Sequence, residues 1–130
     1  MATVTVTPTL RQATIGDVPR LVEMFQQFVA STQYAQYVGQ DPAYCCEMME
    51  RMLTSETMAI FVADAEIVIG MVGVMIFTQP FSGETVASEL FWWLDPAHRG
   101  YGVYLLRRAE SWARGTWPAT NQRQPPRTAY

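Results

Sequence analysis

Glu89-Leu90-Phe91-Trp92-Trp93-Leu94-Asp95-Pro96-Ala97-His98-Arg99-Gly100-Tyr101-Gly102-Val103 is the stretch that decides the architecture. Its first half is aromatic and aliphatic, as a strand prefers. Asp95-Pro96 ends that strand, because proline donates no ladder hydrogen bond. Gly100 and Gly102 then let the chain turn tightly and let an anion approach the backbone at the start of a helix. First-turn amides have no intrahelical partner, and the helix dipole adds partial positive charge there. Arg99 adds a planar fork of donors suited to phosphate. The physical reading is a strand–turn–helix cradle for a phosphate or pyrophosphate. The helix it opens runs over about residues 102–114. Leu105, Leu106, Ala109, Trp112 and Ala113 form its stripe, and Gly115 sits where a helix end favours glycine.

Working back from this block, residues 67–77 are nearly all apolar, as a strand covered on both faces should be. Gly70 and Gly73 within it mark a bulge or a close backbone approach. Residues 58–63 form a strand before it, 64–66 a turn, 80–84 a loop and 85–94 a further strand. Such short connections predict an antiparallel meander. Two helices precede the meander. Thr14-Ile15-Gly16-Asp17 has the form of a helix start, and Val18, Leu21, Val22, Phe25, Phe28 and Val29 recur at helical spacing over 16–31. Asp41-Pro42 opens the second helix. Its stripe is Cys45, Met48, Met49, Met52 and Leu53, methionines that serve as adaptable core. Residues 1–8 and 9–13 are short extended pieces. Residues 116–130 carry Pro118, Pro125 and Pro126 without any period, and are expected to be an irregular tail.

A chain of 130 residues predicts one domain. With 49% hydrophobic and 16% charged residues it is globular, since disorder needs the reverse balance. A net charge of -3 supplies no general basic field for nucleic acid. The longest apolar run is too short to span a bilayer. No basic region followed by an apolar run marks a secretory signal at the N-terminus. Adjacent Cys45 and Cys46 make a poor disulfide and are expected to stay reduced, which fits a cytoplasmic location. One His and two adjacent Cys offer no metal-ligand spacing.

The segment from Glu89 to Arg114 resembles the acetyl-CoA-binding motif of the GNAT N-acetyltransferases. In that family a strand ends in an Asp-Pro-type turn, and Arg/Gln-x-x-Gly-x-Gly/Ala opens a helix. The preceding order of a short strand, two helices and a three-stranded meander is similar as well. The resemblance implies an α/β (α+β) fold, a mainly antiparallel central sheet with helices on both faces, over residues 1–115. It implies that amides of Gly100, Tyr101, Gly102, Val103 and Tyr104, with Arg99, hold the CoA pyrophosphate. Backbone groups of Trp92 and Leu94 would hold the pantetheine arm. Glu89 stands where some members carry the general base for direct attack of a primary amine on the thioester. His98 is a second candidate base, expected to be exposed and structural.

Two positions depart from the family pattern. Tyr104 replaces a Gly or Ala that keeps the helix start open. The family also continues with another strand, another helix and a closing hairpin, which 116–130 is too short to supply. The 85–94 strand would then be a bare sheet edge, inviting a homo-oligomer or a partner subunit. The alternative to an enzyme is therefore a non-catalytic binding or assembly protein, and Glu-Leu-Phe-Trp-Trp is similar to bacteriophage members of the family. A third reading is the N-terminal fragment of a longer enzyme.

Overall fold

The computed structural model describes residues 6–33, 35–37, 39–116 and 127–128. Thr9–Gln12 forms β1. A 3-10 turn at Ile15–Asp17 leads into α1 (Val18–Ala30), and α2 (Pro42–Thr54) follows. Next come β2 (Met58–Ala65), β3 (Ile67–Thr78) and β4 (Thr85–Leu94), then a 3-10 turn at Pro96–Tyr101, α3 (Gly102–Thr116) and β5 (Arg127–Thr128). The sheet order is β1-β2-β3-β4-β5. The first four strands are antiparallel, and β5 is parallel to β4. The expected α+β architecture is present, with helices on both faces of the sheet.

Local chemistry explains the helix starts. Asp17 reaches back to accept from the Thr14 amide at 2.8 Å, while Arg11 grips its two oxygens at 2.7 and 3.0 Å. The Arg11 bonds are the main reason the Asp17 carboxyl is lowered to about 2. Asp41 caps α2 by accepting from the Ala43 and Tyr44 amides, with Pro42 at the first turn.

Two expectations need correction. The turn at 64–66 contracts to Glu66 alone, at φ 74, because Asp64 and Ala65 stay in the ladder opposite Val68 and Ile67. Arg11 of β1 holds the Asp64 carboxylate at 3.1 Å, which keeps that residue in the sheet. The tail is also not wholly irregular. Thr116 closes α3, and Arg127–Thr128 pairs with Val86 and Ala87. Two residues are too few to show a period, and their partner is a distant edge, so sequence reading could not see this strand. Residues 117–126 and 129–130, like the Thr-Val run at 1–5, lie outside the described residues.

The core has two halves, one on each side of the sheet. Leu21 and Met24 of α1 and Cys45, Met49 and Met52 of α2 pack over Ile60, Val62, Met71 and Phe91. Leu105, Ala109 and Ala113 of α3 pack over Phe61, Val72, Val74, Ala87 and Leu94. Gly73 makes one of these contacts possible. The Phe91 ring lies in the space that a Cβ at Gly73 would occupy. Gly73→Ala is expected to cost about 1–3 kcal/mol through overpacking. A lower urea midpoint at unchanged slope would show this, and a wild-type midpoint would contradict the close approach.

Candidate functional site

The site begins with an irregularity in β4. Gly73 pairs with Phe91, but Val74 pairs with Glu89, so Leu90 is an extra residue without a partner on β3. This is a β-bulge, which bends a strand and re-aims the side chains beside it. Glu89 lies opposite Val74, so its side chain leaves on the face covered by α3. It is half-buried, and burial raises its pKa above the ordinary carboxylate value.

Beyond the bulge, alternation sends the two tryptophans to opposite faces. Trp93 packs against the core under α1 and α2. The Trp92 indole lies against Gly102, where an added Cβ would come within 3.2 Å of the ring. A smaller residue at 102 than glycine does not exist, so the fit of strand to helix start is set here.

The turn after β4 is tied down at its first residue. The Asp95 amide donates to Ile69 O at 2.8 Å, and both Asp95 carboxylate oxygens accept from Arg20 Nη2, at 3.0 and 3.2 Å, while Arg20 Nη1 donates to Glu23 at 2.7 Å. Arg20 Nε also donates to Val68 O at 2.9 Å. One side chain of α1 thus holds β3 and the end of β4 together. The backbone kinks at His98, with φ -126 and ψ 18, and the helical path restarts at Arg99. The 3-10 turn runs into α3, where the Gly102 amide donates to Arg99 O. Gly100 is exposed, and a Cβ there would meet nothing within 4 Å.

Arg99 places its guanidinium carbon 4.9 Å from the Trp93 ring centroid. Among the described residues no carboxylate pairs with it. A cation resting on an indole is positioned without being neutralised. Trp92, Trp93, Leu94, Arg99 and Gly102 line an open hollow of about 270 Å³. Three consecutive strand residues can share one hollow only if it opens along the strand's edge. β5 pairs with β4 at Val86 and Ala87, and among the described residues no strand other than β3 pairs with Trp92–Leu94.

Of the nine residues singled out from sequence, Trp92, Leu94, Arg99 and Gly102 therefore meet around one hollow. Gly100 is open to solvent beside it. Tyr101 is partly buried, and Val103 and Tyr104 face outward. Tyr104 is 52% exposed, with its ring centroid 6.3 Å from that of Tyr101. It is not part of the hollow's lining. Glu89 stands further back on β4, on the far side of the bulge. His98 is only partly exposed rather than fully so. Its Nδ1 is enclosed, as is Trp93 Nε1, and neither has a hydrogen-bond partner among the described residues. The Arg20–Asp95 pair was missed from sequence, since nothing in the spacing of residues so far apart signals their contact.

The fold and this site together define an α+β protein with an open hollow where the edge of its sheet meets a helix start. The chain belongs to the GNAT acetyltransferase family: the family profile described as "Acetyltransferase (GNAT) domain" matches residues 9–122. Among curated protein sequences none matches significantly. Solved structures share the fold at low identity. An aminoglycoside N-acetyltransferase, AAC(6')-Iy, in complex with CoA has a TM-score of 0.71 at 16% identity, over 100% of this chain and 81% of that one. The aminoglycoside 6'-N-acetyltransferase AAC(6')-IG from Acinetobacter haemolyticus gives 0.70 at 18%, over 94% and 79%. A putative acetyltransferase from Agrobacterium tumefaciens gives 0.64 at 24%, over 83% and 74%.

Proposed function

We propose that this chain transfers an acetyl group from acetyl-CoA to a primary amine. The observation that carries the reading is the open hollow at the β4 edge, with Gly100 uncovered beside it and Arg99 held on Trp93 with no carboxylate partner among the described residues. The exposed turn at Gly100 and the Arg99 fork suit the pyrophosphate, whereas the Gly102 amide already donates to Arg99 O. Backbone groups at Trp92 and Leu94, on an edge that no second strand covers among the described residues, suit the amides of a pantetheine arm, strand fashion.

In the reaction the amine nitrogen bonds to the thioester carbonyl carbon, the C–S bond breaks, and the thiolate departs. Glu89 accepts the proton that the amine sheds. Its raised pKa makes it a stronger base than an exposed carboxylate. A thiol of pKa about 8.5 leaves readily as a thiolate, so no protein acid is assigned. Thiol release from acetyl-CoA with a panel of primary amines tests the reading. Turnover above the no-amine rate is expected, and its absence across the panel counts against it.

The same edge supports a second reading, assembly through β4. Leu90 and Trp92 are 40% and 38% exposed along it. A second chain pairing there would cover the hollow, so added CoA would dissociate the assembly. Sedimentation with and without CoA separates the two readings.

A further inference from the structure

The outer face of α3 carries side chains that the hollow at β4 does not use. Gly102 faces Trp92 and Leu94 of β4. Tyr104, two residues on, is carried about 200° around the helix, to the flank away from β4. Arg108, one turn further, marks that flank, with its guanidinium carbon 5.2 Å from the Phe61 ring of β2. Resting on the reading of the β4 edge as a CoA site, we propose that Tyr104 and Arg107 take the nucleotide half of CoA. Tyr104 is the platform for the base, and Arg107 is the partner of the ribose 3'-phosphate.

Three observations support the assignment. The first is position. Helical side chains lean toward the helix N-terminus, over the preceding turn, so Tyr104 covers the surface beside Gly100. Gly100 is exposed and has no side chain to screen that turn. A ligand with its pantetheine arm along β4 and its pyrophosphate at Gly100 crosses the tip of α3 and brings its other end to the Tyr104 flank. The second is the state of the ring. Tyr101 packs against the core under α3, and its ring stands 6.3 Å from that of Tyr104 at 46°. Tyr104 is thus braced on one side, yet 52% exposed. An open aromatic face holds a base by stacking, whatever the base. The ring at 104, where the family pattern has Gly or Ala, is outside the hollow's lining. It adds contact beyond the pyrophosphate without taking its place. The third is charge. Arg107 is exposed three residues beyond Tyr104, on the same face. Among the described residues no carboxylate pairs with it. Its planar fork of donors suits a phosphate.

Calorimetry with CoA, 3'-dephospho-CoA and 4'-phosphopantetheine tests this without any turnover. Tyr104→Ala is expected to weaken CoA at least about fivefold, the lower end of what one base on an aromatic ring is worth. It should leave 4'-phosphopantetheine, which has no base, bound as in the wild type. Tyr104→Phe keeps the ring and should bind CoA as the wild type does. Arg107→Ala is expected to weaken CoA and leave 3'-dephospho-CoA unchanged. Wild-type CoA affinity in Tyr104→Ala would overturn the proposal. So would an equal loss for CoA and 4'-phosphopantetheine, because the ring would then only support the turn. In aromatic-proton NMR, adenosine 3',5'-bisphosphate is expected to shift the Tyr104 ring signals saturably and leave those of Tyr44 on α2 in place. No shift at Tyr104 would overturn the proposal too. CoA binding that depends on Tyr104, without turnover of any amine, would leave the nucleotide site standing and refute acetyl transfer. Turnover with CoA affinity indifferent to Tyr104 would do the opposite.

Discussion

Glu89→Gln is expected to lower kcat by about 10²–10⁴, the usual worth of a positioned general base. Glutamine keeps the size and half-buried position of the side chain but cannot take a proton. CoA affinity should therefore stay near wild type, because the cradle at Arg99 and Gly100 lies on the other side of the bulge. The wild-type pH profile carries a second signature. Glu89 works only when ionised, and burial raises its pKa above the usual carboxylate value. The rate should then rise with pH through that raised pKa, whereas an exposed carboxylate titrates at about 4.3. In Glu89→Gln this limb should vanish. A variant with wild-type kcat, or an unchanged acid limb, would remove Glu89 from the mechanism.

The largest stability effect should come from Phe91→Ala, at about 3–5 kcal/mol. Phe91 is 2% exposed, packs edge-on against Phe25 and fills the space left by Gly73. Truncation would leave a cavity beside the bulge that neither β3 nor α1 can close without moving. Against a total stability of about 5–15 kcal/mol, that loss is a large fraction. Phe81→Ala is the control, since Phe81 is 94% exposed and its removal should change stability by less than about 0.5 kcal/mol. Urea denaturation of both variants reads the contrast. A Phe91→Ala protein as stable as the control would mean that the β3–β4 packing is misassigned.

Particular residues show why the fold was legible and the site only in part. The period of Leu21, Phe25 and Phe28, the Asp41-Pro42 start and the apolar 67–77 run are local signals, and each element follows them closely. The strand–turn–helix around Arg99 was legible for the same reason, because a strand end, glycines and a helix start are neighbours in sequence. Gly73 signalled a bulge or a close approach, and the structure has both. What sequence could not show depends on residues distant in the chain. Leu90 becomes the extra residue only once β3 and β4 are in register. Arg20 finds Asp95 only once α1 lies across the sheet. Tyr104 looked like an obstruction, and its direction was decided by helix phase and its neighbour Tyr101. A cavity walled by Phe25 and Met48 is made by two helices whose individual patterns read simply as core.

The central claim is that the β4 edge and the Arg99–Gly102 turn form a CoA site. Titration of CoA into the protein by calorimetry tests it most directly. Saturable binding at one site per chain is predicted, weakened in Arg99→Ala and strengthened by low salt, because Arg99 supplies an exposed charge. No heat of binding at millimolar CoA would contradict the claim.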